Sequence, residues 1–171
     1  ISVGACSKRG MSENSALVKG VNRAWDAGLV VVVAAGNNGP RTMSITTPGI
    51  SRKVITVGCS DDDREVLVGG NRMVDYSGRG PTAACICKPD LVAPGCSVVS
   101  CSSRADKYTI KSGTSMSTPI VSGAVALLLE RFPDMSNKDV KLRLRESSVD
   151  IGLPRNQQGW GLLDVGKMLE R

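Results

Sequence analysis

The chain has 171 residues, 41% hydrophobic and 22% charged, which suffices for one domain, residues 1–171, with a substantial core. Aromatic residues are only 3%, so aliphatic packing dominates, and the net charge of +6 is spread along the chain without basic–aromatic runs, which argues against nucleic-acid binding. The longest apolar runs, Leu29 to Ala35 and Ala124 to Leu129, are too short to span a bilayer.

In chain order, Ile1-Ser2-Val3-Gly4 reads as the tail of a buried strand, so an upstream segment is expected before it. Ser12 is a candidate N-cap for a helix with Leu17, Val18, Val21 and Trp25 on one face, stopped by Gly28. Leu29 to Ala34 is a continuous, largely β-branched run, as in a strand covered on both faces. With Ile1 to Gly4 and the helix it makes a βαβ unit. Val54 to Gly58 is a second strand. Asp61 to Thr82, rich in charge and glycine, predicts surface loops or a hairpin. Asp61-Asp62-Asp63 lacks the alternating ligand spacing of a calcium loop and reads as a solvated turn.

Leu91 to Ala93, Val98 to Ser100 and Tyr108 to Lys111 are shorter strands. A helix is predicted from Ser115 to Arg131, ended by Phe132-Pro133-Asp134. Its small residues Ser122, Gly123, Ala124 and Ala126 would let it lie against a sheet. Ser136 caps another helix, with Val140, Leu142 and Leu144 on its apolar side, and a last one begins near Asp164. The alternation predicts an α/β fold: a mostly parallel sheet with helices on both faces.

The cysteines are Cys6, Cys59, Cys85, Cys87, Cys96 and Cys101. Cys85-x-Cys87 lacks the spacing of a zinc site and the chain has no histidine, so no metal site is read. Small buried thiols are the first reading; a Cys96–Cys101 disulfide is the alternative.

Two segments carry chemistry. Ser115 falls in Gly113-Thr114-Ser115-Met116-Ser117-Thr118-Pro119, at the first turn of a helix, where free N–H groups and the helix dipole favour an oxyanion. Pro119 is read as a first-turn proline. The plain alternative is an N-cap serine on a core helix. Asn37, in Ala34-Ala35-Gly36-Asn37-Asn38-Gly39-Pro40, follows the strongest strand, the edge where open α/β sheets bind ligands. It could donate to developing negative charge, or simply be a turn asparagine.

These motifs resemble the subtilisin-like serine proteases (subtilases), C-terminal part of the catalytic domain. The Ser115 segment resembles the family's Gly-Thr-Ser-Met-Ala-x-Pro. Ala34-Ala35-Gly36-Asn37 resembles the block carrying its oxyanion asparagine. Tyr76 to Pro81, Lys88 to Gly95 and Gly159 to Val165 resemble further blocks, all in family order.

The resemblance implies that Ser115 is the nucleophile and that Asn37 and the Ser115 N–H form the oxyanion hole, with Thr114 assisting. Ser2, Val3 and Gly4 would pair with extended substrate and, with Ala34, Ala35 and Gly36, wall the pocket for the residue before the scissile bond. Thr46 would lie near its base. Ser117 stands where the family has Ala, and Ile120 where many members have a non-catalytic His. The family's Asp and His precede the start of this chain. The implied function is therefore a fragment of a serine endopeptidase, inactive alone; the alternatives are a non-catalytic binding module and a serine esterase of another fold. The implied partners are a polypeptide substrate and the missing N-terminal part, with no nucleic acid or membrane. Self-association is expected through the sheet edge that this part would cover. No cofactor is required, though structural calcium is compatible with the family, and an extracellular or cell-surface setting is implied.

Overall fold

The computed structural model describes residues 1–5, 14–103 and 107–170. Its centre is a parallel sheet of three short strands, β1 (Val32–Ala34), β2 (Ile55–Cys59) and β5 (Leu91–Ala93), in the order β1-β2-β5. Val32 pairs with Ile55, and Val57 with both Ala34 and Leu91. Every residue of these strands is buried, so both faces are covered. That is the environment a continuous apolar run requires. The first strand is shorter than Leu29 to Ala34 suggests, because Leu29 is 59% exposed and lies in the approach to the sheet.

Ile1 lies along the free edge of β1. Its amine donates to the Val32 carbonyl at 2.6 Å and its carbonyl accepts from Ala34 N at 3.2 Å. The Val31 carbonyl points the other way and accepts from Ile55. At the opposite edge, Leu162 forms a parallel bridge with Val92 and an antiparallel one with Val149.

Helix α1 (Ala16–Asp26) is capped by Ser15, whose hydroxyl accepts from Val18 N; Ser12 lies outside the described residues. Val18, Val21 and Trp25 are buried, whereas Leu17 is 49% exposed and off the core face. Helix α2 (Thr114–Arg131) packs across all three strands of the sheet. It buries Val121, Ala124, Val125 and Leu128. Its small residues Ser122, Gly123 and Ala126 face solvent rather than the sheet, because the larger residues take the inner face. Helix α3 (Asn137–Ser147) starts with a capping box between Ser136 and Asp139. Val140 and Leu144, one turn apart, are buried; Leu142, half a turn away, is 52% exposed. The single turn α4 (Arg155–Gln158) carries no sequence signal, and α5 (Val165–Leu169) is capped by Asp164. Val21, Trp25, Leu128, Leu144 and Met168 share one core with the strands. Among the described residues, no helix is long and apolar enough to cross a membrane.

The unreadable segment contains a hairpin of β3 (Val66–Val68) and β4 (Asn71–Met73). Gly69 and Gly70, at φ +58° and +89°, supply the left-handed pair that a tight hairpin turn requires. Strands β6 (Val98–Cys101) and β7 (Tyr108–Lys111) form a second antiparallel hairpin outside the parallel sheet.

The acidic run before β3 is not a solvated turn. Asp62 is 3% exposed and accepts from Ser77 N at 2.7 Å. Asp61 accepts from Gly95 N at 2.7 Å and Cys96 N at 3.1 Å. Burial raises the Asp62 pKa. Under the sheet, Lys88 is 1% exposed and pairs with Asp90 at 2.5 Å; burial pulls the lysine down to about 8.

The thiol reading holds for one cysteine. Cys59 is buried, Cys96 is half-buried, and Cys85, Cys87 and Cys101 are exposed. All are free, so Cys96 and Cys101 are not bridged; Cys6 lies outside the described residues.

Candidate active site

The turn before α2 is held from below. Gly95 O accepts from Gly113 N at 2.9 Å and from the buried Tyr76 hydroxyl at 3.2 Å. Asp61, bonded to Gly95 N, ties this loop to the end of β2. Gly113 has φ +137°, and a Cβ there would lie 3.2 Å from Asn37 Nδ2. Glycine thus permits both the turn and the approach of Asn37.

Ser115 is the second residue of α2 and half-buried. Its Oγ donates to the Ser2 carbonyl at 2.8 Å, and the Ser2 hydroxyl donates to the Ser115 carbonyl at 2.7 Å. Pro119 explains the second bond. It stands at the sixth helical position, beyond the first turn, and has no N–H to give the carbonyl four residues back. That carbonyl belongs to Ser115, and Ser2 satisfies it.

Asn37 enters from the loop after β1. Its Oδ1 accepts from Thr114 N at 3.0 Å and from Thr114 Oγ1 at 3.1 Å. Thr114 is wholly buried, and its Oγ1 also accepts from Gly36 N at 3.2 Å. With Oδ1 fixed, the amide orientation of Asn37 is set, and Nδ2 remains as a donor beside Gly113 and the start of α2. The Thr114 hydroxyl is fully engaged in this clamp. Its position immediately before Ser115 was the one sequence signal for that task.

Ser2, Val3 and Gly4 are exposed and extend away from Ser115 to Ala5, which exchanges backbone bonds with Thr47 at 2.9 and 3.3 Å. Ala34, Ala35 and Gly36 are buried on the other side. Ala35 O accepts from Thr46 N at 2.9 Å, and Gly36 O accepts from Gly78 N at 2.8 Å. The structure thus gathers Ser115, Thr114, Asn37, Gly36 and Ser2 at one edge of the sheet. Thr46 sits between the two glycine-bearing segments.

A serine hydroxyl at a helix start, beside an amide donor of fixed orientation, suits attack on a carbonyl with stabilisation of the resulting oxyanion. No imidazole is available within the chain, which contains no histidine.

The chain is similar to known proteins along most of its length. The chain is 42% identical over 145 residues to the serine protease AprX of Bacillus subtilis (strain 168), a match covering 77% of this chain and 33% of AprX. It is 35% identical over 158 residues to subtilisin DY of Bacillus licheniformis, covering 91% of this chain and 52% of that protein. It thus spans between a third and about half of these relatives. A mutant of the protease domain of PatA superposes with a TM-score of 0.74 at 26% identity, over 98% of this chain and 56% of that one. The sequence pattern of the Subtilase family matches residues 1–161, and the chain belongs to that family.

Proposed function

We propose that this chain is the nucleophile-bearing portion of a serine endopeptidase that cleaves peptide bonds through an acyl-enzyme on Ser115. Ser115 Oγ attacks the scissile carbonyl carbon while its proton passes to a base supplied by sequence outside this chain. Asn37 Nδ2 and the Ser115 N–H stabilise the tetrahedral oxyanion. The intermediate collapses with loss of the protonated amine, and water then releases the acyl group. Ser2, Val3 and Gly4 bind the extended substrate on one side of the pocket; Ala34, Ala35 and Gly36 form its other wall.

The observation that carries this reading is the Thr114 clamp, which fixes the Asn37 amide next to the serine. A plain N-cap serine needs no such arrangement. In this reading the isolated chain is inactive, because no histidine is present to take the proton. An extracellular or cell-surface setting belongs to the same reading.

The test is turnover of chromogenic peptides by the chain alone, by the longer protein that contains it, and by Ser115→Ala versions of both. The longer protein should cleave in a Ser115-dependent way and the chain alone should not. A longer protein that binds peptides without Ser115-dependent cleavage would favour a non-catalytic binding module.

A further inference from the structure

We propose that a basic, tryptophan-walled cavity between α1 and α3 is a second binding site, and that it takes acidic polypeptide segments in which carboxylates flank an apolar or aromatic residue. The site is separate from Ser115 and does not depend on the chemistry proposed there.

The cavity has a volume of about 420 Å³. Arg52 and Lys53 line it, and both lie just before β2, at the amino-terminal end of the parallel strands. Asn37 and the start of α2 meet beyond the opposite end, where the chain leaves β1. An occupant of the cavity therefore does not cover the serine.

Both tryptophans of the chain line the cavity. Trp25 is buried, and its carbonyl accepts from Asn137 Nδ2 at 2.7 Å, which fixes the end of α1 against the start of α3. Trp160 is half-buried. Lys141 Nζ lies 5.8 Å from one ring centroid and 6.0 Å from the other, within reach of both π-faces. This ammonium is already saturated. It donates to the carbonyls of Arg52, Lys53 and Val54 at 2.9, 3.0 and 2.9 Å and lies 3.5 Å from Asp90. Lys141 thus builds the wall and leaves recognition to other cations.

Those cations are not neutralised. Lys138 and Arg145 stand one turn before and one turn after Lys141 on the same face of α3, both lining the cavity and both exposed. Neither makes a salt bridge to any described carboxylate. Arg52 bonds to a carbonyl, that of Ala84, at 3.5 Å. The acidic groups at hand are engaged elsewhere: Asp26 holds Lys53 at 2.6 Å, Asp90 is shared by Lys88 and Lys141, and Asp139 accepts from the Ser136 hydroxyl. A concave site with charges of one sign on apolar walls focuses their field on an incoming anion. The indoles and Leu142 favour an apolar body on that anion. An inorganic anion would use the rim and leave the indoles bare. A nucleic acid would need a basic stripe beyond the cavity, whereas the remaining charge is spread along the chain. An acidic peptide with an apolar residue uses both features.

The experiment is fluorescence anisotropy of dye-labelled Glu-Glu-Phe-Glu-Glu titrated with the Ser115→Ala form of the longer protein, which cannot cleave it through the serine. Binding at about 0.1 M salt should weaken at about 1 M, where screening is stronger. Gln-Gln-Phe-Gln-Gln should bind at least about 10-fold more weakly, and Glu-Glu-Gly-Glu-Glu more weakly than the phenylalanine peptide. Lys138→Glu combined with Arg145→Glu should lower affinity for the acidic peptide at least about 10-fold. Lys138→Gln with Arg145→Gln should lower it less, and carries the test if the reversed form does not fold. In the protein that retains Ser115, the glutamine pair should leave kcat/KM for a short uncharged chromogenic peptide unchanged; a fall would mean that the site is not separate and would overturn the proposal. Equal affinity for the glutamate and glutamine peptides, or affinity unmoved by both pairs of substitutions, would also overturn it. So would displacement of the peptide by inorganic phosphate, or by an oligonucleotide of the same charge, as effective as displacement by the unlabelled peptide.

Discussion

Ser2 and Ser115 bind each other twice: the Ser115 hydroxyl donates to the Ser2 carbonyl at 2.8 Å and the Ser2 hydroxyl donates to the Ser115 carbonyl at 2.7 Å. The pair joins the extended segment to the helix start, and the second of its bonds takes the place of the helical donor that Pro119 lacks. The hydroxyl that attacks in the proposed mechanism is thus held by a main-chain carbonyl within this chain. A base arriving from outside would have to draw it away.

Asn37 and Thr114 should separate donor from support. In the longer protein, Asn37→Ala should lower kcat by about 10²–10³ with KM little changed, the range measured for one oxyanion-hole donor in subtilisin, a relative of this chain. Thr114→Val removes the hydroxyl that donates to Asn37 but leaves the Thr114 N–H, so it should lower kcat by a smaller factor. Steady-state kinetics checks both. An unchanged kcat in Asn37→Ala would remove Asn37 from the site.

Ser117 is wholly buried, and its hydroxyl has no hydrogen-bond partner among the described residues. It packs against Gly95, where a Cβ would lie 2.3 Å from the hydroxyl oxygen. A buried unsatisfied hydroxyl costs about 1–3 kcal/mol. Ser117→Ala should therefore raise stability by about 1 kcal/mol, seen as a higher melting temperature by calorimetry. A lower one would mean that the hydroxyl has a role in holding the turn.

The thiols should differ sharply in reactivity. Cys59 is buried, bonded to Asp61 and Tyr76, and burial pushes its pKa up to about 12. At pH 8 it stays a thiol, and alkylation needs the thiolate. Exposed Cys85, Cys87 and Cys101 should be modified in the native protein, and Cys59 only after unfolding, as read by peptide mass spectrometry. Native-state labelling of Cys59 would show that the Tyr76–Gly95 bracing opens.

What was legible in the sequence depended on range. The strands at Ile55 and Leu91 and the capped helices at Ser136 and Asp164 announce themselves through local pattern and cap chemistry. The motif order brought Ser115 and Asn37 together before any geometry was known. Contacts between distant segments were not legible. The burial of Asp62 depends on Ser77, fifteen residues on, so local charge alone suggests solvent there; that of Lys88 depends on Asp90 and the Val54 carbonyl. Leu142 is apolar but sits half a turn from Val140 and Leu144 and faces outward. Ser122, Gly123 and Ala126 face solvent, because small size alone does not say which neighbour a helix approaches.

The edge formed by Ile1 to Gly4 makes a further test possible. Ile1 covers β1 with its own backbone, so among the described residues the outer edge is this segment itself, with Ile1 53% and Val3 68% exposed. Leu127, on the outer face of α2, is 48% exposed. Unpaired edges and apolar patches recruit other chains. Light scattering of the isolated chain across a dilution series should show concentration-dependent association. A monomer at high concentration would mean that the edge is protected.

In the proposed mechanism Ser115 is a nucleophile made reactive only in the longer protein. The most direct measurement is covalent labelling by a fluorophosphonate, with the modified residue identified by mass spectrometry. The adduct should form on Ser115 in the longer protein, be lost in Ser115→Ala, and be absent or very slow in the isolated chain. Labelling of the longer protein at another residue, or equal labelling with and without the Ser115 hydroxyl, would show that Ser115 is not the nucleophile.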